Sequence, residues 1–407
     1  MIKTVHKPEA ADTIKAIASK SEVHRLLICA ALSDKKTEIV CESTNEDITA
    51  TAECLKALGA EITYENGIFT VYPIKDTPEN PVLPCNESGS TLRFLIPLTA
   101  SLGKGATYLT RGRLSSRPLS PLKEELEKGG TEIEADGSNI VVRGKNTSTE
   151  FEIAGNVSSQ FISGLMLMLT LTGGKITVTG EMQSRPYIEM TADALRLFGC
   201  NIGFNDNIIS VPRVCPLVSP LKVQGFGDWS NAAFFLCAGA IGKKKITVTG
   251  LHSDSRQGDK KIVDILRLFG AKAECEGDSV TVFPSSLHGI TFDARDIPDL
   301  VPVLSVVAAN AQGTTRITGC ERLRFKESDR IEAVRKMITD LGGRVIIEND
   351  DIIIGGTALS GGETDSLNDH RIAMSAGIAS FATTNPVTVH GAEAVNKSYP
   401  GFWDELK

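Results

Sequence analysis

The stretch Gly319-Cys-Glu-Arg-Leu-Arg-Phe-Lys-Glu-Ser-Asp-Arg330 places four cations (Arg322, Arg324, Lys326 and Arg330) among the carboxylates Glu321, Glu327 and Asp329, with Glu332 two residues beyond. A β-like run, Thr314-Thr-Arg-Ile-Thr318, precedes it, and Ile331, Val334, Ile338 and Leu341 follow at near-helical spacing. Cations at a strand-to-helix junction, close to unpaired helix N–H groups, suit an anionic ligand such as a phosphate or carboxylate. Mixed charge is equally the mark of an ordinary solvated loop. What separates the two readings is that this stretch is one copy of a unit recurring along the chain.

Short β-like runs end at Cys41, Gly112, Gly180, Gly250, Gly319 and Gly391, in steps of 71, 68, 70, 69 and 72 residues. Amphipathic helical patterns keep the same step, closing at Gly59, Gly129-Gly130, Gly199, Gly270 and Gly342. Paired strands follow these, with hairpin breaks at Glu65-Asn-Gly67, Asp136-Gly137 and Glu276-Gly-Asp278. Before each of the first runs lies an apolar helix with a polar start: Ser19-Lys-Ser21, Ser88-Gly-Ser-Thr91, Ser158-Ser-Gln160, Asp228-Trp-Ser-Asn231, Asp296-Ile-Pro-Asp299 and Asn368-Asp-His-Arg371. Ser, Asp and Asn at such positions are N-caps in the simplest reading. The apolar helices, such as 161–171, 232–241 and 300–309, are hydrophobic nearly all round and should be buried, with the amphipathic ones outside.

A 70-residue period is too long for the common solenoids, so six units fit better as two clusters of three. The sixth unit lacks its closing strand pair, while the first 18 residues, β-like at 3–6 and 13–17, belong to no unit. If they complete the sixth, residues 1–18 and 225–407 form one discontinuous domain carrying both termini. Residues 19–224 then form the other, inserted domain.

A chain of 407 residues with 41% hydrophobic and 23% charged residues is a globular protein of two or three domains. A net charge of −7 disfavours nucleic acid as the main partner, so any anion site is a local gathering of Lys and Arg. Nine cysteines without a Cys-x-x-Cys pair fit neither a disulfide framework nor a zinc site and read as buried thiols of a reducing cytosol. The start, Met1-Ile-Lys-Thr-Val-His-Lys-Pro8, has no apolar signal core, and no apolar run reaches the roughly 20 residues of a membrane span. The expectation is a cytoplasmic protein with no membrane or nucleic-acid partner. Neither a P-loop nor a dinucleotide fingerprint nor metal-ligand spacing occurs, so no cofactor or metal is expected.

Three buried helices per domain, starting from one face, would aim six dipole ends into a common cleft. Strand-end loops add Arg111, Arg113, Arg117, Arg185, Arg256 and Lys397, and first helical turns add Lys20, Arg25, Arg93 and Arg371. Such a cleft suits one or two small, multiply anionic ligands. Among its few acids, Asp299 and Glu327 are each either a proton acceptor or an ion-pair partner of the neighbouring cations.

Together, Ser19-Lys-Ser21 with Arg25, Ser88-Gly-Ser-Thr-Leu-Arg93, Arg117-Pro118, Ser158-Ser-Gln160, Ser184-Arg-Pro-Tyr187, Ile297-Pro-Asp299, Lys326-Glu-Ser-Asp-Arg330, Asn368-Asp-His-Arg371 and Lys397-Ser-Tyr-Pro400 resemble the 5-enolpyruvylshikimate-3-phosphate synthase family, in order and over nearly the whole chain. The resemblance implies an inside-out α/β barrel of two domains, each of three βαβαββ repeats. It implies transfer of the enolpyruvyl group of phosphoenolpyruvate to the 5-hydroxyl of shikimate 3-phosphate, through a tetrahedral ketal; separately from the resemblance, a monomer is expected. It also implies that Lys20, Ser21, Arg25, Ser158, Ser159, Gln160, Ser184, Asp299 and Lys326 hold shikimate 3-phosphate. Lys20, Gly89, Arg117, Gln160, Arg330, Arg371 and Lys397 would hold phosphoenolpyruvate. Asp299 would take the hydroxyl proton, and Glu327 with Lys20 would protonate the methylene carbon.

Four positions depart from the family pattern: Glu87 and Ser90 flank the Gly89 region where Asn and Thr are usual, Arg322 replaces a common Asn, and Phe94 a common Pro. These leave glyphosate sensitivity open. UDP-N-acetylglucosamine enolpyruvyl transferases share the implied fold and donor, but they usually carry a cysteine before the Arg-Pro pair; here the loop is Gly112-Arg-Leu-Ser-Ser-Arg-Pro118. A non-catalytic phospho-metabolite binding protein would have no need of Asp299 and Glu327.

Overall fold

The computed structural model describes residues 1–8, 10–213 and 215–406. The chain divides into two compact units, one of Met1–Ile17 with the residues from Phe226 on, the other of Ala18–Gly225. Among the described residues there are six sheets, five of four strands and one of three. One repeat shows the pattern. Val82–Asn86 runs parallel to Ala106–Thr110, which pairs antiparallel with Asn139–Gly144, itself the hairpin partner of Thr131–Asp136. Helices Gly89–Leu102 and Leu122–Lys128 fill the two crossovers, giving βαβαββ. The architecture is the expected α/β one, an inside-out barrel of three such repeats in each unit.

Of the strands that lead the repeats, the sequence marks only 13–17 as β-like, without placing it in its repeat, and the structure supplies leading strands from unexpected places. Ile2–Val5 does complete the sixth sheet, antiparallel to Val387–His390. Thr13–Lys15, however, leads the fourth repeat, parallel to Ile246–Thr249. Lys222–Gln224 leads the first, parallel to Thr37–Val40. Each of those two leading strands has only three residues, too few to show a period-2 pattern.

The inner helices are buried on every side because they face both the sheets and each other. In Trp229–Ile241, Val301–Asn310 and His370–Ala379, nearly every residue is buried. The outer helix Arg330–Asp340 buries only Arg330, Ile331, Ala333, Val334, Met337 and Ile338, one stripe of its surface. Each fully buried Leu or Phe contributes about 1.5–3 kcal/mol, so the all-apolar inner helices dominate the stability of both units. Close packing there is set by backbone contact. A Cβ on Gly164 would lie 2.4 Å from the carbonyl oxygen of Arg93, so only glycine lets helices Ser159–Leu169 and Gly89–Leu102 approach this closely.

The thiol reading needs one correction. Cys200 and Cys215 form a disulfide, because the hairpin Gly203–Asn205/Ile208–Val211 folds back between them and brings their Cα atoms to 5.5 Å. The spacing has no motif form and was not visible in the sequence. The other seven cysteines are free, six of them buried.

Candidate functional site

Five of the six inner helices begin on a side-chain cap: Ser19, Ser88, Ser158, Asp228 and Asp369 each accept a bond from a first-turn backbone N–H. The fifth does not. Its N-cap is Leu300, without a side-chain bond, and Asp299 stands just outside the helix. That carboxylate is therefore released from capping, and cations claim it instead. Arg330 Nη1 donates to Asp299 Oδ1 at 2.7 Å and Arg371 Nη2 to Oδ2 at 3.3 Å, while Lys326 Nζ stands 3.7 Å from Oδ1.

Arg330 is the centre of this unit's site. It opens the helix Arg330–Asp340, behind the N-cap Asp329, and its side chain is 1% exposed. Its single fork serves three carboxylates: Asp299, Glu327 (Nη2 to Oε2, 2.8 Å) and the fully buried Asp369 (Nε to Oδ2, 2.8 Å). Burial alone would push Asp299 toward its neutral form, but Lys326, Arg371 and Arg330 outweigh it and hold the carboxyl well below its usual range. Burial likewise lowers Lys326, to about 8, against the pull of Asp299. Lys397 closes the set: it is buried, and its Nζ donates to the Asn368 carbonyl at 2.6 Å.

In the unit Ala18–Gly225 the expected residues also lie at helix starts. Lys20 opens the helix Lys20–Ala31 and its Nζ donates to Asp47 Oδ2 at 2.7 Å. Gly89 opens the next inner helix, and a Cβ there would meet Arg117 Nη1 at 2.7 Å, so the Arg117 guanidinium lies directly against the Gly89 backbone. Ser158 caps the third, followed by Ser159 and Gln160. Gln160 is oriented from both sides: Arg93 Nη1 donates to its Oε1 (2.8 Å), and its Nε2 donates to Ser90 (2.9 Å). Ser184 precedes the outer helix Arg185–Leu197 in the left-handed region, φ 53°, a conformation that costs energy for a residue with a Cβ.

Arg25 is placed differently from a simple ligand-facing cation. It is buried and bonds to Thr191 Oγ1, the carbonyls of Ser21 and Tyr187, and Ser163 Oγ, with its guanidinium over the Phe94 ring at 4.8 Å. Ser21 thus meets Arg25 through its carbonyl. Sequence reasoning missed two carboxylates: Asp47, which holds Lys20, and Asp369, which holds Arg330. It read Asp369 only as part of a capping sequence, and Asp47 carried no signal. Among the described residues no cluster of His, Cys, Asp or Glu is placed to hold a metal ion, and no helix is long and apolar enough to cross a membrane.

Buried cations stand at helix starts on both units, and solved enolpyruvyl transferases share this fold. The EPSP synthase of Acinetobacter baumannii superposes with a TM-score of 0.80 at 25% identity, covering 99% of this chain and 97% of that one. The enolpyruvyl transferase NikO of Streptomyces tendae gives 0.81 at 18% identity, with 100% and 96% covered, which bears on fold alone. Residues 7–406 match the family described as EPSP synthase (3-phosphoshikimate 1-carboxyvinyltransferase), and the chain belongs to that family. Curated relatives named 3-phosphoshikimate 1-carboxyvinyltransferase include that of Clostridium novyi (strain NT), 40% identical over 404 residues, 96% of this chain and 93% of that protein. Another, from Brachyspira hyodysenteriae, is 34% identical over 415 residues, 100% and 98% of the two chains.

Proposed function

We propose that this chain transfers the enolpyruvyl group of phosphoenolpyruvate to the 5-hydroxyl of shikimate 3-phosphate with release of phosphate, in the biosynthesis of aromatic amino acids. The observation that carries this reading is the cluster around Arg330. Three cations (Lys326, Arg330, Arg371) are matched there by three carboxylates (Asp299, Glu327, Asp369), and Asp299 is withheld from capping. A phosphate or carboxylate brought to these cations adds negative charge to a balanced set. The carboxylates then bind protons more readily. A site of that kind both holds anions and moves protons.

In this reading Lys20, Ser21, Arg25, Ser158, Ser159, Gln160, Ser184, Asp299 and Lys326 serve shikimate 3-phosphate. Lys20, Gly89, Arg117, Gln160, Arg330, Arg371 and Lys397 serve phosphoenolpyruvate. Asp299 takes the 5-hydroxyl proton as that oxygen bonds to C2 of phosphoenolpyruvate, while Glu327, assisted by Lys20, delivers a proton to C3. The resulting ketal loses phosphate as C3 gives a proton back, restoring the double bond. Cations hold two anions that would otherwise repel, which converts an encounter of three bodies into a reaction within one complex. The protein works as a monomer in the cytoplasm. Phosphate release from phosphoenolpyruvate should depend on shikimate 3-phosphate; release with UDP-N-acetylglucosamine in its place would overturn the assignment.

Gly89→Ala is expected to raise the KM for phosphoenolpyruvate roughly tenfold, the size of one charge-assisted hydrogen bond, and to weaken glyphosate inhibition in parallel. The atoms nearest the added methyl are the end of the flexible Arg117 side chain, which can shift, so folding should be spared. Equal KM and inhibition constants in both proteins would remove Gly89 from the site.

Lys326 gives a pH prediction. Its ammonium loses its proton as pH rises through about 8 and then no longer attracts an anion. The KM for shikimate 3-phosphate should therefore climb between about pH 7 and about pH 9, and Lys326→Arg, which stays charged, should flatten that climb. A climb of the same size in the arginine variant would assign it to another group.

A further inference from the structure

A buried polar chain with no role in the reaction above runs through the unit Ala18–Gly225. His24 Nδ1 lies 2.6 Å from Thr51 Oγ1, which lies 2.6 Å from Thr91 Oγ1, which donates to Ser88 Oγ at 2.7 Å. All four side chains are inaccessible to solvent. Valine or leucine would fill such a core at lower cost, since every buried hydroxyl must find a partner. The ends of the chain are what give it meaning. His24 lies one helical turn beyond Lys20, and Ser88 is the N-cap directly before Gly89. Lys20–Asp47 and His24–Thr51 form two rungs, each joining the helix Lys20–Ala31 to the helix Glu46–Ala57, with partners four residues apart on both.

The chain has one direction. Ser88 Oγ accepts both the Thr91 hydroxyl and the Thr91 backbone N–H, the latter at 3.4 Å, which fills its lone pairs. Having given its proton to Ser88, Thr91 accepts from Thr51, and Thr51 accepts from His24. Burial, reinforced by the charges of Lys20 and Arg25, keeps His24 neutral, so it has a single N–H, and the chain places that proton on Nδ1. Bonds aligned in this way polarise one another and resist rotation.

We propose that the His24–Thr51–Thr91–Ser88 chain is a positioning device that fixes the helix start at Gly89 relative to Lys20 and so sets the affinity for phosphoenolpyruvate, with Thr51 its central positioning residue. The inference rests on the reading that Lys20 and Gly89 serve that substrate. Apart from the Thr91 N–H, which bonds to the Ser88 cap, the first-turn N–H groups at Gly89 have no partners within their own helix, and an anion meets them best when they are held in place beforehand.

Thr51→Val keeps the shape of the side chain and removes the link; Thr51→Ser keeps the link. Steady-state kinetics on the full chain should show Thr51→Val raising the KM for phosphoenolpyruvate roughly three- to tenfold, the worth of one net hydrogen bond. Turnover and the KM for shikimate 3-phosphate should stay within about twofold, and Thr51→Ser should restore the parent values. An unchanged KM for phosphoenolpyruvate in Thr51→Val, with Gly89→Ala raising it, would overturn the proposal while sparing the site. A loss in Thr51→Val spread equally over all three constants would also overturn it, as plain structural damage. If Gly89→Ala itself leaves that KM unchanged, the site assignment fails and the proposal falls with it. Should Thr51→Val not fold, Thr91→Val against Thr91→Ser poses the same question with the same criteria.

Discussion

Replacing Asp299 with Asn is expected to lower turnover by about 10²–10⁴-fold, the usual contribution of a positioned acid or base, and to change shikimate 3-phosphate binding much less. Pro298 fixes the backbone immediately before Asp299, and the absence of a capping bond leaves the carboxylate free to face Arg330, Arg371 and Lys326. Asparagine keeps the shape and one acceptor oxygen but cannot take a proton. Its amide also turns a donor toward one of the two guanidinium groups, so part of the cation framework relaxes. On the proposed reading, affinity survives because Lys326 still meets the substrate's charge. Phosphate-release rates together with calorimetric binding of shikimate 3-phosphate decide the matter. Turnover within a few-fold of the parent would make Asp299 a binding residue only, leaving both proton transfers to Glu327 and Lys20.

The second large effect concerns stability. Arg330→Met should destabilise its unit by about 3–5 kcal/mol, since one partner of a buried ion pair is removed and the other is stranded. The stranded group is Asp369, fully buried, which would retain only the Ser328 hydroxyl and the Arg371 backbone N–H among its present donors. Urea unfolding would register the loss as a lower midpoint. Adding Asp369→Asn should recover part of it, because asparagine carries no charge and caps a helix about as well as aspartate. A double variant no more stable than Arg330→Met would show that the stranded charge is not the cause.

The repeat was readable because both of its markers are backbone requirements. The strand-end residues Gly112, Gly180, Gly250, Gly319 and Gly391 all have φ between 55° and 80°. The helix-end residues Gly59, Gly130, Gly199, Gly270 and Gly342 have φ between 87° and 106°. Side chains other than glycine seldom adopt such values, so geometry writes itself into the sequence at a fixed step. The leading strands left no such trace: Thr13–Lys15, Lys222–Gln224 and Thr291–Asp293 are three residues each and need only extended backbone. Site cations could be read from their clustering at helix starts. Their partners could not, because Asp47 is 27 residues from Lys20 and Asp369 is 39 from Arg330, and only folding brings them together. Asp299 was singled out in the sequence as an acid at a helix start among cations, whereas only the structure shows that it is not the cap.

The three carboxylates around Arg330 have a consequence for selectivity. Asp299, Glu327 and Asp369 all bond to the Arg330 guanidinium, so the protein carries its own competing anions. A chloride or acetate offers one charge and no second point of attachment, too little to displace a carboxylate already tethered at high effective concentration. A ligand with both a phosphate and a carboxylate can engage several cations at once and pull the set apart. On the proposed reading, entry to the site would be filtered by the number and spacing of charges rather than by charge alone.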